Sequence, residues 1–449
     1  MPASNRPAPS KRKFVSKAVE AEIERVSALI GDPELRWLFG NCYPNTLDTT
    51  VNLGTLDGKD DAFVITGDIP ALWLRDSAAQ VRPYLHLARG DEPLTRLYRG
   101  LIRRHARCVL LDPYANAFTR DPADRAGLHW SRSDQTTMKP GVAERKWEVD
   151  SLCYVLRLAH DYWRATGDTE PYDATFADAA RTIVATFREQ QRKTGPGPYR
   201  FQRQTNQPTE TTLAGIGVPT RKVGMIHSAF RPSDDACTYP FNIPGNLFAV
   251  TTLRELASLA EAVLGDAALA ADASALAAEV EAAVMAHGTM LLPGGRQVFA
   301  YETDGFGNHL FMDDANVPSL LGLAYLRCVP ADLPLWRTTA DAVWSEANPW
   351  FFSGSAASGI GGPHIGEGQV WPMSIIMRGL SSSDDAVIAE CLRTLKTTHA
   401  GKGFMHEAFD KDDPAKFTRA WFAWVNGLFG ELVVKTANER PHLLAGASV

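Results

Sequence analysis

The chain has 449 residues, 45% of them hydrophobic and 22% charged, the balance of an ordinary globular protein. Its formal net charge of −6 provides no basic excess for nucleic acid, and no stretch approaches the ~20 uninterrupted apolar residues of a membrane span. The length admits one large domain or two to three ordinary ones.

Residues 1–13 are rich in Pro, Ser and Lys and are expected to form a disordered tail. They lead straight into a charged amphipathic run without the apolar stretch of a secretory signal, so a cytoplasmic protein is expected, unless the sequence is a trimmed secreted form. Apolar residues then recur every three to four positions over 15–30, 76–89, 92–110, 148–166, 173–191, 246–264, 267–288, 317–327, 338–347, 384–399 and 419–436, which predicts helices there. Strand patterning is confined to "AFVIT" (62–66) and "RQVFAYET" (296–303), expected as small hairpins. The chain therefore reads as all-α, with a single domain over 14–440 and a short tail over 441–449. Six cysteines (Cys42, Cys108, Cys153, Cys237, Cys328, Cys391) are spread singly, without a Cys-x-x-Cys pair, and read as reduced, mostly buried thiols.

Six segments between the helices share one flavour: aromatics, acids and Gly or Pro feeding a helix. They are "GDIPALWLRDSAAQ", "ERKWEVDSLCY", "FRPSDDACTYPFNIPGN", "FMDDANVPSLL", "GGPHIGEGQVWPMS" and "FMHEAFDKDDPAKFTRAWFAW". Most neighbours are separated by enough chain for a returning helix, the arithmetic of a helical-hairpin array repeated about six times. Closed into a ring of six inner and six outer helices, the array gathers the six segments at one end around a polar, aromatic pocket; an open solenoid is the alternative.

The chemistry available in these segments is narrow. No Gly-Lys-Ser/Thr loop, His-Glu-x-x-His helix or Gly-x-Ser-x-Gly elbow is present, and Asp410, Asp412 and Asp413 lack the Gly and distal Glu of a calcium loop. No metal and no cofactor are expected. What remains is carboxylates, arginines and indoles. Asp234 and Asp235 either cap a helix behind Ser233 or form an acid site, where Arg231 pairs with one and rings desolvate the other. Glu407 lies beside His406 and Phe409 and is either a satisfied structural acid or a base facing a sugar. Trp73, Trp147, Trp371, Trp421 and Trp424 all fall in or beside the six segments. Carboxylates flanking a scissile bond, with indoles for pyranose faces, suit glycoside chemistry.

The blocks "TGDIPALWLRDSAAQVRPYL", "RKWEVDSLCY", "FRPSDDACTYPFNIPGN", "GIGGPHIGEGQVWPMS" and "GFMHEAFDKDDPAKFTRAWFAWVNGLFGEL" together resemble glycoside hydrolase family 125, the exo-acting α-1,6-mannosidases, from about residue 20 to residue 437. The resemblance implies an (α/α)6 barrel and metal-independent hydrolysis of mannose-containing glycans with inversion. It places the general base on Glu407 and the general acid on Asp234, with Asp235 as the alternative. It further implies that Trp73, Arg75, Asp76, Glu148, Arg231, His364 and Trp371 hold the terminal mannose. Two other readings stand beside it: a different sugar-active enzyme on the same barrel, such as an epimerase using His364 and His406, or an inactive carbohydrate-binding protein.

Overall fold

The computed structural model describes residues 3–446. Fourteen α-helices are assigned among them: α1 (Lys17–Leu29), α2 (Pro33–Cys42), α3 (Asn45–Thr49), α4 (Leu74–Val81), α5 (Glu92–Leu111), α6 (Val149–Thr166), α7 (Ala174–Gln190), α8 (Ile243–Leu259), α9 (Ala267–His287), α10 (Pro334–Val343), α11 (Pro372–Ser381), α12 (Asp385–Thr397), α13 (Ala423–Glu439) and α14 (His442–Ala445). The helix-rich reading holds. Residues 317–327 depart from it, forming successive turns whose first amides, Leu320 and Leu321, donate to the Asp313 carboxylate. Helices α2 and α11, unforeseen from periodicity, each begin on a proline whose missing N–H costs a first helical turn nothing.

The longer helices divide into two series by their burial. In α4, α6, α8, α11 and α13 two thirds or more of the residues are buried, whereas α7, α9 and α12 bury one stripe, such as Ile388, Cys391, Leu392 and Leu395 of α12. Within the first series α4 packs on α6, α6 on α8, α11 on α13, and α13 back on α4. The second series leans on it from outside, α9 against α8 and α12 against α11.

The two series also start differently, except that α8 of the first is capped by the Asn242 side chain, which accepts from Gly245 N–H. Asp91, Asp173, Asp266 and Asp384 cap α5, α7, α9 and α12 through their carboxylates. Helices α4, α6, α11 and α13 have Trp73, Glu148, Trp371 and Phe422 at the cap position, with no side-chain cap bond. Short antiparallel ladders fix those starts instead. Leu72–Trp73 pairs with Ala117–Phe118, which pairs with Val142–Glu144; Gln369–Val370 pairs with Phe409–Asp410. The hairpin foreseen around 62–66 forms between Val51–Leu56 and Lys59–Val64, and 296–303 contributes the strands Gln297–Phe299 and Glu302–Thr303.

The expected tail over 1–13 is corrected where it is described: residues 3–13 dock on the body, while residues 1 and 2 lie outside the described residues. Arg6 forms ion pairs with Glu20 and Asp48, and Lys13 N–H donates to the Asp48 carbonyl. At the other end Leu444 of α14 is buried, and the last part of the expected 441–449 tail, 447–449, lies outside the described residues. No described helix is long and apolar enough to cross a membrane. All six cysteines are free thiols, four of them buried.

Candidate active site

The uncapped starts of α4, α11 and α13 converge on one cavity of about 450 Å³. Trp73, Arg75 and Asp76 reach it from α4, Trp371 from the start of α11, and Phe422 and Trp424 from the start of α13. The segment ahead of α8 supplies Asp234, and the 403–422 loop supplies Glu407 and Arg419. His364 and Asn316 complete the polar wall.

Arg75 is the centre of the charge distribution. It is 3% exposed, and its guanidinium reaches Glu148 at 2.7 Å, Asp234 at 2.9 Å, Asp150 at 3.1 Å and Asp76 at 3.7 Å. One cation therefore faces four carboxyl groups, and burial favours the neutral form of any that it cannot serve. Burial raises Glu148 and Asp150 above the usual carboxylate range despite Arg75, and lifts Asp76 to about 6. Asp234 goes the other way: burial would raise it, but Arg75, a hydrogen bond from Glu148 and the charge of Lys146 hold it well below. Glu148 and Asp234 thus behave as a pair around a shared proton.

Asp234 is also unusual in its backbone. Its φ of +67° lies in the left-handed region, uncommon outside glycine but tolerated by Asp. Three contacts hold it there: its N–H donates to the Arg231 carbonyl, Arg231 N–H donates to the Asp235 carbonyl, and Lys146 Nζ donates to its own carbonyl at 2.8 Å. The left-handed turn sends Asp234 and Asp235 in different directions. Asp234 lines the cavity; Asp235 is 1% exposed behind it, with Oδ1 on His364 Nδ1 at 3.2 Å. Burial lowers the His364 imidazolium pKa, yet the Asp235 carboxylate raises it further, to about 9, so His364 is a cation at neutral pH.

Opposite, Glu407 is 8% exposed. Its loop is pinned by the Val370–Phe409 register pair, by mutual bonds between Ala408 and Thr418, and by His406 Nδ1 on the Ala420 carbonyl. Arg419 stands 3.6 Å from the Glu407 carboxylate and 3.8 Å from Asp68. The cavity wall thus offers one carboxylate on Arg75, another near Arg419, and indole faces from Trp73, Trp371 and Trp424.

The geometry sorts the expected residues. Trp73, Arg75, Asp76, Asp234, His364, Trp371 and Glu407 meet in the cavity. Glu148 does not line it: wholly buried beneath Arg75, it accepts from Asn116 and Ser151 as well. Nor does Arg231, which pairs with Glu302 at 2.6 Å, donates to Thr238 and lies over the Tyr301 ring, rather than pairing with either acid. Ser233 caps no helix; its hydroxyl donates to Asp314 at 2.5 Å. Trp147 is core, its indole N–H on the His227 carbonyl, and His406 stacks on Phe417 outside the cavity wall. Asn316, Arg419 and Phe422 line the cavity without having been singled out; each sits inside a quoted segment, and only the fold shows which way it points. Asp410 accepts from the N–H groups of Asp412 and Asp413, closing its own turn. Among the described residues His160, Asp161 and Glu255 have the spacing of a metal site, but Arg327 bridges both carboxylates, at 2.6 and 2.7 Å.

Comparison with known proteins gives a consistent answer. The sequence profile of the metal-independent α-mannosidases (GH125) matches residues 32–434. The meiotically up-regulated gene 157 protein of Schizosaccharomyces pombe is 43% identical, over 98% of this chain and 89% of its own length. A metal-independent α-mannosidase of Streptococcus pneumoniae, solved as a non-productive complex with α-1,6-mannobiose, superposes with a TM-score of 0.90 at 38% identity, covering 95% of this chain and all of that one. A wild-type glycosidase 13% identical, covering 93% of this chain and 98% of its own, shares the fold alone, with a TM-score of 0.50.

Proposed function

The chain belongs to the metal-independent α-mannosidases of glycoside hydrolase family 125, and from that premise we propose that it is an inverting exo-α-1,6-mannosidase on an (α/α)6 barrel. The observation that carries the proposal is the meeting of Asp234 and Glu407 in one cavity whose wall includes three indoles, two arginines, Asp76 and a histidinium. The succession of packing among α4, α6, α8, α11 and α13 supports the barrel. The mannobiose complex of the S. pneumoniae relative supports the α-1,6 linkage.

In this mechanism Asp234 protonates the oxygen of the leaving sugar as the C–O bond breaks, and Glu407 takes a proton from the water that attacks the anomeric carbon from the other side. Asp234 must carry a proton when it acts, although Arg75 favours its carboxylate. Glu148 resolves this: buried on the same guanidinium, it holds the proton that passes to Asp234 when a leaving oxygen arrives to accept it. Arg75 orients both acids. Asp76, His364 and Arg419 bind sugar hydroxyls, and Trp73 and Trp371 present apolar faces to the ring.

Proton NMR of the reaction with α-1,6-mannobiose tests the proposal. β-Mannose is expected as the first-formed anomer. First-formed α-mannose removes inversion, and α-1,2- or α-1,3-mannobiose turned over in preference removes the linkage assignment.

A further inference from the structure

Consecutive side chains of an extended segment point to opposite sides, and Trp421 and Phe422 thereby face two different cavities. Phe422, in extended backbone at φ −137°, lines the catalytic cavity. Trp421 lines a second, open cavity of about 510 Å³ together with Phe404, Asn41, Asn45, Thr49 and Arg6. The two adjoin. The Trp421 indole lies against Gly67, so closely that a Cβ there would stand 3.4 Å from it, and the next residue, Asp68, reaches Arg419 on the catalytic rim.

The lining of the second cavity is built, not incidental. The segment that reads as a disordered tail forms one wall, held by the Arg6 ion pairs to Glu20 and Asp48. Asn41 is 1% exposed; its Oδ1 accepts from Asn5 N–H at 2.9 Å and Ser4 Oγ at 3.3 Å, while its Nδ2 has no hydrogen-bond partner among the described residues. A buried amide donor without a partner is costly, of order 1–3 kcal/mol, and this one belongs to a residue of the cavity lining. Two half-buried aromatic faces, Trp421 and Phe404, stand beside this donor and the Arg6–Asp48 pair. Aromatic faces match the C–H side of a pyranose, and amides with a charged pair match its hydroxyls.

We propose that this cavity is a second hexose-binding site, separate from the catalytic cavity and separated from it by Trp421. It holds a pyranose unit of the same glycan or of a neighbouring branch, which raises the local concentration of chain ends at the catalytic mouth. The site depends on the glycosidase reading only for the choice of sugar.

Hydrogen-exchange mass spectrometry with sulfur-bridged α-1,6-mannobiose, which resists hydrolysis, tests it on the full chain. Protection is expected over 41–49 and 404–421 as well as over the catalytic 66–76 segment. Thr49→Trp, which fills the second cavity and leaves Trp421 in place, should abolish the protection over 41–49 while keeping that over 66–76. Trp421→Ala should weaken the ligand concentration dependence over 41–49 at least tenfold. Protection confined to 66–76, or protection over 41–49 that survives Thr49→Trp, overturns the second site. Protection over 41–49 without any over 66–76 upholds it and counts against the proposed catalytic function instead.

Discussion

Two charge clusters, one deeply buried and one partly buried, lie on either side of Trp424, and they are built on opposite accounts. On the side of the proposed active site one guanidinium, Arg75, faces Glu148, Asp150, Asp234 and Asp76. On the other side, around a cavity that Trp424 also lines, Arg82, Arg157 and Arg327 face Asp161, Glu255 and Glu431. The balanced cluster can keep Asp161 ionised: burial would raise it, but the neighbouring His160 and three arginines drive it well below its usual range. The cluster short of cations must hold protons, and Glu148, Asp150 and Asp76 are all raised. Charge imbalance together with deep burial therefore marks the side to which proton transfer is assigned in the proposed mechanism.

The contrast is sharpest under mutation. Glu407→Gln removes the proposed base without disturbing either cluster, so steady-state turnover of α-1,6-mannobiose should fall about 10²–10⁴-fold, the usual worth of a general base, with the thermal midpoint unchanged. Retained activity would take Glu407 out of that role. Arg75→Met strikes the imbalanced cluster itself, stranding Glu148 and Asp150, which pair with no other cation among the described residues. Urea unfolding should show a loss of about 3–5 kcal/mol, the cost of breaking a buried ion pair from one side. A loss below 1 kcal/mol would mean that the four carboxyl groups are already neutral and that Arg75 does not organise them.

How far the sequence foretold this follows from what a pattern can carry. Trp73, Arg75 and Asp76 were singled out together because they crowd one helix start, and all three line the cavity. Glu148 and Arg231 were misplaced because a one-dimensional motif gives proximity to a site but not the side: Glu148 lies beneath Arg75 and Arg231 turns to Glu302. The left-handed turn at Asp234, which separates it from Asp235, has no sequence signature beyond Asp's tolerance of positive φ. Periodicity found long helices such as α6 and α8, but it missed the short proline-started α2 and α11 and overextended where the chain breaks into turns, as over 317–327. Compositional bias misjudged residues 3–13, because the Arg6 partners, Glu20 and Asp48, lie 14 and 42 residues away.

The pH dependence of stability separates the clusters by sign. Asp76 has a native pKa of about 6 against an unfolded value near 3.8, so the native state binds its proton more tightly. Its contribution is present at low pH and is lost as pH rises from about 4 to 6, by at most about 3 kcal/mol at 1.36 kcal/mol per unit. Asp161, shifted downward, contributes above pH 4 and loses that contribution as pH falls below it. Thermal midpoints of Asp76→Asn and Asp161→Asn from pH 3 to 7 should therefore deviate from the parent in opposite directions: the first removes a decline between pH 4 and 6, the second a decline below pH 4. Parallel deviations would show that the two clusters titrate alike.

The smallest effect is expected at Arg157, and it tests whether balance or proximity matters. Arg157 is 3% exposed, yet its nearest carboxylate oxygen, on Asp161, is 3.7 Å away, beyond hydrogen-bond reach. Asp161 meanwhile keeps Arg327 at 2.6 Å. The Arg157 guanidinium lies instead over the Phe248 and Tyr325 rings, at 5.7 and 5.1 Å, so much of what it contributes is packing that an unbranched apolar side chain can replace. Arg157→Met should change unfolding free energy by about 1 kcal/mol, because replacing a poorly paired buried charge with a well-packed apolar group is often near neutral. A loss as large as that of Arg75→Met would mean that Asp161 depends on all three arginines together, and that the balanced cluster is as tightly coupled as the catalytic one.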